Sequence, residues 1–169
     1  MDKHFELTHK FIINAFGVKL FQIKCTRRIK YAEVGDLGGY IEKEDNLSGD
    51  AWVSGDAQVY GNAQVYGDAQ VYGDAWVSGN ARVYGNAQVS GDARVSNNNE
   101  HCGFDCFGSV NRHTHAYKTQ SGKVEITCGC FRGSIEEFDR QVKKTHQGNK
   151  FERQYMAIAE VIKIKFGLK

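Results

Sequence analysis

From Gly49 to Ser96 the chain reads GDAWVS, GDAQVY, GNAQVY, GDAQVY, GDAWVS, GNARVY, GNAQVS and GDARVS, eight six-residue repeats with no insertion. Each follows Gly-[Asp/Asn]-Ala-x-Val-[Tyr/Ser], with x drawn from Trp, Gln and Arg. Ala and Val stand two apart, so on a strand they point to the same side. Gly followed by Asp or Asn supplies a corner, where positive φ costs glycine little. Three such short strands close a triangular coil of eighteen residues. Successive coils then hydrogen-bond at the ~4.8 Å strand spacing. The pattern predicts a mainly β chain whose centre is a left-handed parallel β-helix of hexapeptide repeats.

The register extends upstream. Counting back in sixes from Val53 puts Leu47 and Ile41 at the valine position, so ten hexads span 37–96. At that spacing the prism is only about 15 Å tall. Its Ala/Val core is thin and its ends are open edges, so both flanks are expected to act as caps. Residues 1–36 read as a capping hairpin, from His4–Ile13 and Val18–Cys25 around Asn14-Ala-Phe-Gly17. A prism this short is also expected to bury a flank against copies of itself, as a homotrimer. Trp52, Trp76, Tyr66, Tyr84 and Arg82 are the outward residues expected at that interface, with Tyr66 and Tyr84 one coil apart and stacked.

Asn97-Asn-Asn99 ends the pattern, and 97–169 reads as a separate small α+β domain. His113–Thr119 and Val124–Cys128 flank Gln120-Ser-Gly122 as a hairpin. Ser134-Ile-Glu-Glu137 is a capping box, followed by Ile135, Phe138 and Val142 at helical spacing. Gly148-Asn149 stops that helix; Phe151, Tyr155, Ile158 and Ile162 mark a second one ending near Gly167.

Charge is unevenly distributed. The net is +1 over 1–48, −3 over 49–96 and +4 over 97–169, within a formal total of +2. That excludes a polycation for extended nucleic acid and points any anionic ligand to the C-terminal segment. The N-terminus lacks a cationic-then-apolar leader and no run approaches a membrane span. Five cysteines, an odd number, argue against a secreted disulfide framework. The expectation is a cytoplasmic protein with reduced thiols and no membrane association.

The lead-in Gly35-Asp-Leu-Gly-Gly-Tyr-Ile-Glu-Lys-Glu-Asp-Asn-Leu-Ser48 feeding into the repeats resembles hexapeptide-repeat proteins of tailed phages and prophages. The C-terminal run is similar to a small phage module, through Gly108-Ser109, Asn111, a hairpin, Cys128-Gly-Cys-Phe131, Glu137-Phe138 and His146. The resemblance implies a phage accessory protein acting in the cytoplasm of the infected host. Proteins in that setting often counter host defence, some by sequestering nucleotide immune signals.

Three chemistries compete for the residues. Hexapeptide acyltransferases use a histidine base and loops that hold coenzyme A, whereas these eight hexads contain no histidine and no insertion. Zinc would draw on Cys102, Cys106, Cys128 and Cys130 beside His101, His113 and His115, but Cys128-Gly-Cys130 is an awkward spacing for one ion. No metal and no cofactor is the expectation. Anion binding draws on the run Gly108–His115, read as a loop before a strand, in which Ser109, Asn111, Arg112, Thr114 and His115 offer hydroxyls, an amide and a guanidinium. Tyr117 and Phe131 are candidates to stack a base. The resulting expectation is a non-catalytic protein that sequesters a nucleotide-like signal at intersubunit sites. A coenzyme A-dependent acyltransferase and a protein-binding inhibitor of a host defence factor stay open beside it.

Overall fold

The computed structural model describes residues 3–168 and divides into two compact units, Met1–Asn98 and Asn99–Lys169. The first is a β-solenoid of about three turns. Every hexad contributes one two-residue strand at its x-Val positions: β4 (Trp52–Val53), β5 (Gln58–Val59), β6 (Gln64–Val65), β7 (Gln70–Val71), β8 (Trp76–Val77), β9 (Arg82–Val83), β10 (Gln88–Val89) and β11 (Arg94–Val95). Parallel partners lie eighteen residues apart, as in Trp52 with Gln70 and Gln70 with Gln88. The three faces are therefore β5-β8-β11, β4-β7-β10 and β6-β9. Backbone N–H groups donate to the coil above, from Trp52 to the Ala69 carbonyl (2.9 Å) and from Gln70 to the Ala87 carbonyl (2.8 Å). Every hexad alanine and valine is at most 2% exposed, which fills the triangle completely.

The corners explain the invariant glycine of the hexad. All eight have φ between +58° and +73°. A methyl group on Gly67 would stand 3.0 Å from the Gly85 nitrogen, so a side chain in this column is strained in backbone angle and crowded by the next coil.

Ile41 and Leu47 hold the expected register, opposite Val59 and Val65. Between them the lead-in departs from the hexad, because a 3₁₀ turn at Glu44–Asn46 replaces the corner. Asn46 is fully buried and donates to the Gly61 and Ala63 carbonyls (3.2 and 2.9 Å). A Glu42 carboxylate oxygen accepts from Gly61 N–H (2.6 Å). At the other end, Asn98 accepts from the Arg82 N–H (2.9 Å). These side chains supply edge groups with the partners a further coil would have given.

The hairpin β1 (Phe5–Ile13) and β2 (Lys19–Cys25) does more than cap. β2 pairs antiparallel with β3 (Leu37–Ile41), so one face runs β1-β2-β3-β5-β8-β11. Leu20, Ile23 and Cys25 are buried. The Gly38-Gly39 pair has a steric reason: methyl groups there would stand 2.6 Å from the Val53 carbonyl and 2.8 Å from that of Ala57. The N-terminal segment also corrects one interface residue. Trp52 is 5% exposed, with the His4 ring 6.2 Å away, and is not available to a neighbouring subunit. Trp76 is half-buried, edge-on to Phe16 at 5.9 Å and covered by the Arg94 guanidinium at 4.1 Å. Tyr66 and Tyr84 do stack, 5.5 Å apart and 18° from parallel, beside exposed Gln64 and Arg82.

In the second unit, β12 (His101–Phe107), β13 (Arg112–Lys118), β14 (Val124–Cys128) and β15 (Phe131–Gly133) form one antiparallel sheet in chain order. Helices α1 (Ile135–His146) and α2 (Lys150–Phe166) bury Ile135, Phe138, Val142, Tyr155, Ile158 and Ile162 with Ala116 and Ile126 of the sheet. The capping box forms as read, with Ser134 accepting from Glu137 N–H, and Gly167 closes α2 in the left-handed region. The sheet has two strands beyond the expected hairpin.

The corner geometry makes a prediction that a control can check. Gly17, at the tip of the β1–β2 hairpin, has φ +78° and open space around it. Gly17→Ala is expected to lose about 1–2 kcal/mol from backbone strain alone. Gly67→Ala adds a tight approach to the Gly85 backbone and should lose distinctly more. Urea unfolding of both variants measures the difference; equal losses would refute the close-approach argument.

Candidate functional site

A cleft of about 170 Å³ opens in the second unit between the sheet and its helices. Arg112 opens β13 on one side, and the β14–β15 turn brings Cys130 and Phe131. From α1 come Phe138 and Val142 below, with Gln141, Thr145 and His146 at the rim; α2 contributes Tyr155. Helical spacing places these α1 residues on one stripe. Gln141 donates to the Thr145 hydroxyl (3.1 Å), and the His146 ring stacks on Tyr155 at 5.4 Å and 28°. Among the described residues, no Asp or Glu lines the cleft.

Arg112 is exposed and, among the described residues, pairs with no carboxylate. Behind it, Thr114 donates to the Cys128 sulfur (3.3 Å), and the Cys128 thiol faces the Tyr155 oxygen at 3.9 Å. Burial, reinforced by Cys128, pushes the Tyr155 phenol up to about 12, so it remains a protonated donor at neutral pH. The arrangement joins a permanent cation and an O–H donor to an aromatic floor. It is equipped to bind a flat anion.

Arg112 is the one residue of the predicted binding set that lines this cleft. Ser109 and Asn111 are exposed in the turn before β13, outside the lining. Arg112–His115 is strand rather than loop, and this overturns the other assignments. Thr114, His115 and Tyr117 are at most 1% exposed. Thr114 is spent on Cys128, His115 meets a His101 ring nitrogen (3.0 Å), and Tyr117 donates to Glu125 (2.6 Å), which Arg132 clamps. These three belong to the packed interior of the sheet. Phe131 does line the cleft. Gln141, Thr145 and His146 line the cleft without having been expected there; the signal for these three was the helical stripe from Phe138 to His146, whereas Tyr155 comes from α2.

On the opposite face of β13, Asp105 holds the His113 Nδ1 (2.6 Å), while His113 Nε2 is buried without a partner among the described residues. Among the described residues, no three His, Cys, Asp or Glu side chains converge to hold a metal ion. Cys102 is half-buried against the helices, Cys128 is buried, and Cys106 and Cys130 are exposed. Among the same residues, no helix is long and apolar enough to cross a membrane.

One family model recognises the solenoid. Residues 57–73, 63–78, 69–85, 75–89 and 87–99 match the family described as the YdcK beta solenoid repeat. The match spans 57–99, well under half the chain, and stops before the cleft. It supports a repeat β-helix protein. No curated protein matches the chain.

The histidine row gives a pH dependence. Burial, with the Lys165 ammonium adding to it, pulls His101 down from 6.5 to about 4. Between those values the unfolded chain binds a proton that the folded one does not. Stability is therefore complete above pH 6.5 and falls as pH drops toward 4, by up to about 3 kcal/mol. Burial lowers His4 in the same direction. His101→Gln is expected to flatten the fall when urea unfolding is compared at pH 7 and pH 5. A wild-type protein equally stable at both would contradict it.

Proposed function

We propose that this chain is a non-catalytic binding protein whose C-terminal cleft takes a nucleotide-like anion while its solenoid assembles copies into a trimer. The observation that carries the reading is Arg112: an exposed guanidinium, unpaired with any carboxylate among the described residues, at the mouth of an acid-free aromatic cleft. An unpaired guanidinium is available for bidentate contact with phosphate, and the Tyr155–His146 stack offers an aromatic surface beside it. The phage resemblance of the lead-in and of the Cys128–Phe131 module suggests a host immune nucleotide as cargo. Sequestration of that signal in the cytoplasm of an infected bacterium is the counter-defence role we assign. A neighbouring copy would extend the small cleft into an intersubunit site of the size that encloses a whole nucleotide.

A separate observation favours a protein partner as the second reading. The hairpin exposes Phe11, Ile13 and Phe16, at 48%, 66% and 69%. Large apolar groups exposed along one hairpin are candidates for protein contacts.

Calorimetric titration with cyclic dinucleotides, AMP and ADP-ribose tests the first reading. Arg112→Ala is expected to weaken the ligand that binds by roughly ten- to a hundredfold, from the loss of ~1.5–3 kcal/mol of charge-assisted bonding. Its melting temperature should stay close to wild type, because the side chain is exposed. Wild-type protein that binds none of these nucleotides would move the hairpin surface ahead of the cleft. Light scattering is expected to give three chains per particle at micromolar concentration; a monomer would remove the trimer.

A further inference from the structure

Three glycines of the C-terminal unit share nearly the same backbone angle: φ is +77° at Gly108, +77° at Gly122 and +62° at Gly129. Their surroundings differ. A methyl group at Gly122 would meet nothing within 4 Å. At Gly129 it would overlap Arg112 Nη1 and stand 3.0 Å from Cδ and Cζ, because the end of the Arg112 side chain rests against this glycine. At Gly108 it would overlap the Tyr155 hydroxyl and stand 2.7 Å from Cε2. Two of the three are thus notches, and their occupants are the cation and the phenol of the cleft.

We infer that Gly129 and Gly108 are positioning residues that seat Arg112 and Tyr155 before a ligand arrives, and that this fixed pair receives one phosphate- or carboxylate-sized anionic group. The inference rests on the reading of the cleft as a binding site and names the part of the ligand it holds. The Gly108 backbone N–H is itself held, donating to the Gln154 carboxamide (3.1 Å), which fixes the second notch. Among the described residues the Tyr155 hydroxyl donates to no acceptor, and the residue forms part of the cleft lining. The two notches come from different turns, one before β13 and one between β14 and β15. They place their occupants at one cleft from separate elements.

The Arg112 notch is the easier to test, because a displaced arginine end moves without unfolding the protein. Wild type, Gly129→Ala, Gly122→Ala and Arg112→Ala are compared, Gly122→Ala reporting backbone strain without overlap. Affinities for AMP and for adenosine are measured by calorimetry. Without ligand, phenylglyoxal labelling of Arg112 is followed by peptide mass spectrometry. Wild type and Gly122→Ala are expected to prefer AMP over adenosine at least tenfold, and Arg112→Ala and Gly129→Ala to lose that preference. Arg112 should label several-fold faster in Gly129→Ala than in wild type or Gly122→Ala. Displacement of AMP by inorganic phosphate or acetate supports the anionic assignment and says which group is held; displacement by neither overturns it. Gly129→Ala with wild-type preference and wild-type labelling overturns the positioning role. A wild type indifferent to the AMP phosphate refutes the binding reading, while the labelling rates still decide whether Gly129 seats Arg112.

Discussion

The solenoid depends on the distance between one coil's corner and the next. Glycine stacks on glycine so closely at Gly49–Gly67–Gly85 that a methyl group on Gly49 would stand 2.9 Å from the Gly67 nitrogen. That approach is what lets the Asp50 N–H reach the Gly67 carbonyl (2.9 Å) and carries the ladder around the bend. Were the corners wider, the strands on the flat faces would separate with them, since each contributes only two ladder residues. The small alanine follows from the same geometry: a triangle with eighteen residues per turn has no room inside for three larger side chains per layer. The thin core follows in turn, and with it the need for capped ends. Asn46, Glu42 and Asn98 answer that need with side-chain hydrogen bonds, and the β1–β2 hairpin with buried apolar groups.

This dependence accounts for how much of the fold could be read from residues alone. A repeat whose spacing is dictated by backbone contact leaves its period in the sequence, so the strands, the register to Ile41 and the Tyr66–Tyr84 stack were all legible. Local end signals were legible for the same reason: Ser134 with Glu137, Gly148-Asn149 and Gly167 each act within a few residues. What escaped lacked a period or a local signal. β12, with Gly103, Asp105 and a bulge that puts Cys106 at φ +64°, does not alternate cleanly. β15 has three residues and exists because Gly129-Cys130 makes a two-residue turn. Trp52 read as outward from its place in the hexad, and only the chain arriving from His4 covers it.

The site was harder, for a physical reason. Arg112 was visible as a fixed cation in a mildly basic segment. Its companions come from α1, α2 and the β14–β15 turn, which only the packed sheet brings beside it. Within β13 the strand sends alternate residues to opposite faces, so the run Arg112–His115 cannot present all its polar groups to one ligand. Treating that run as a loop concealed the alternation. The sulfur and hydroxyl of Cys128 and Thr114, which look like chemistry in a sequence, instead support Tyr155 from behind.

The uniformity of the prism interior has an evolutionary consequence. Because every coil presents the same Ala/Val lining and the same glycine corners, each is an interchangeable unit between two dedicated ends. Duplication of eighteen residues would insert a coil whose neighbours find the partners they already had. Loss of eighteen would close the gap in the same way, whereas a change of any length that is not a multiple of six would turn valines outward. Such a chain can vary in length in steps of a coil through unequal recombination within its own gene, and the two ends are left to diverge independently of the number of coils between them.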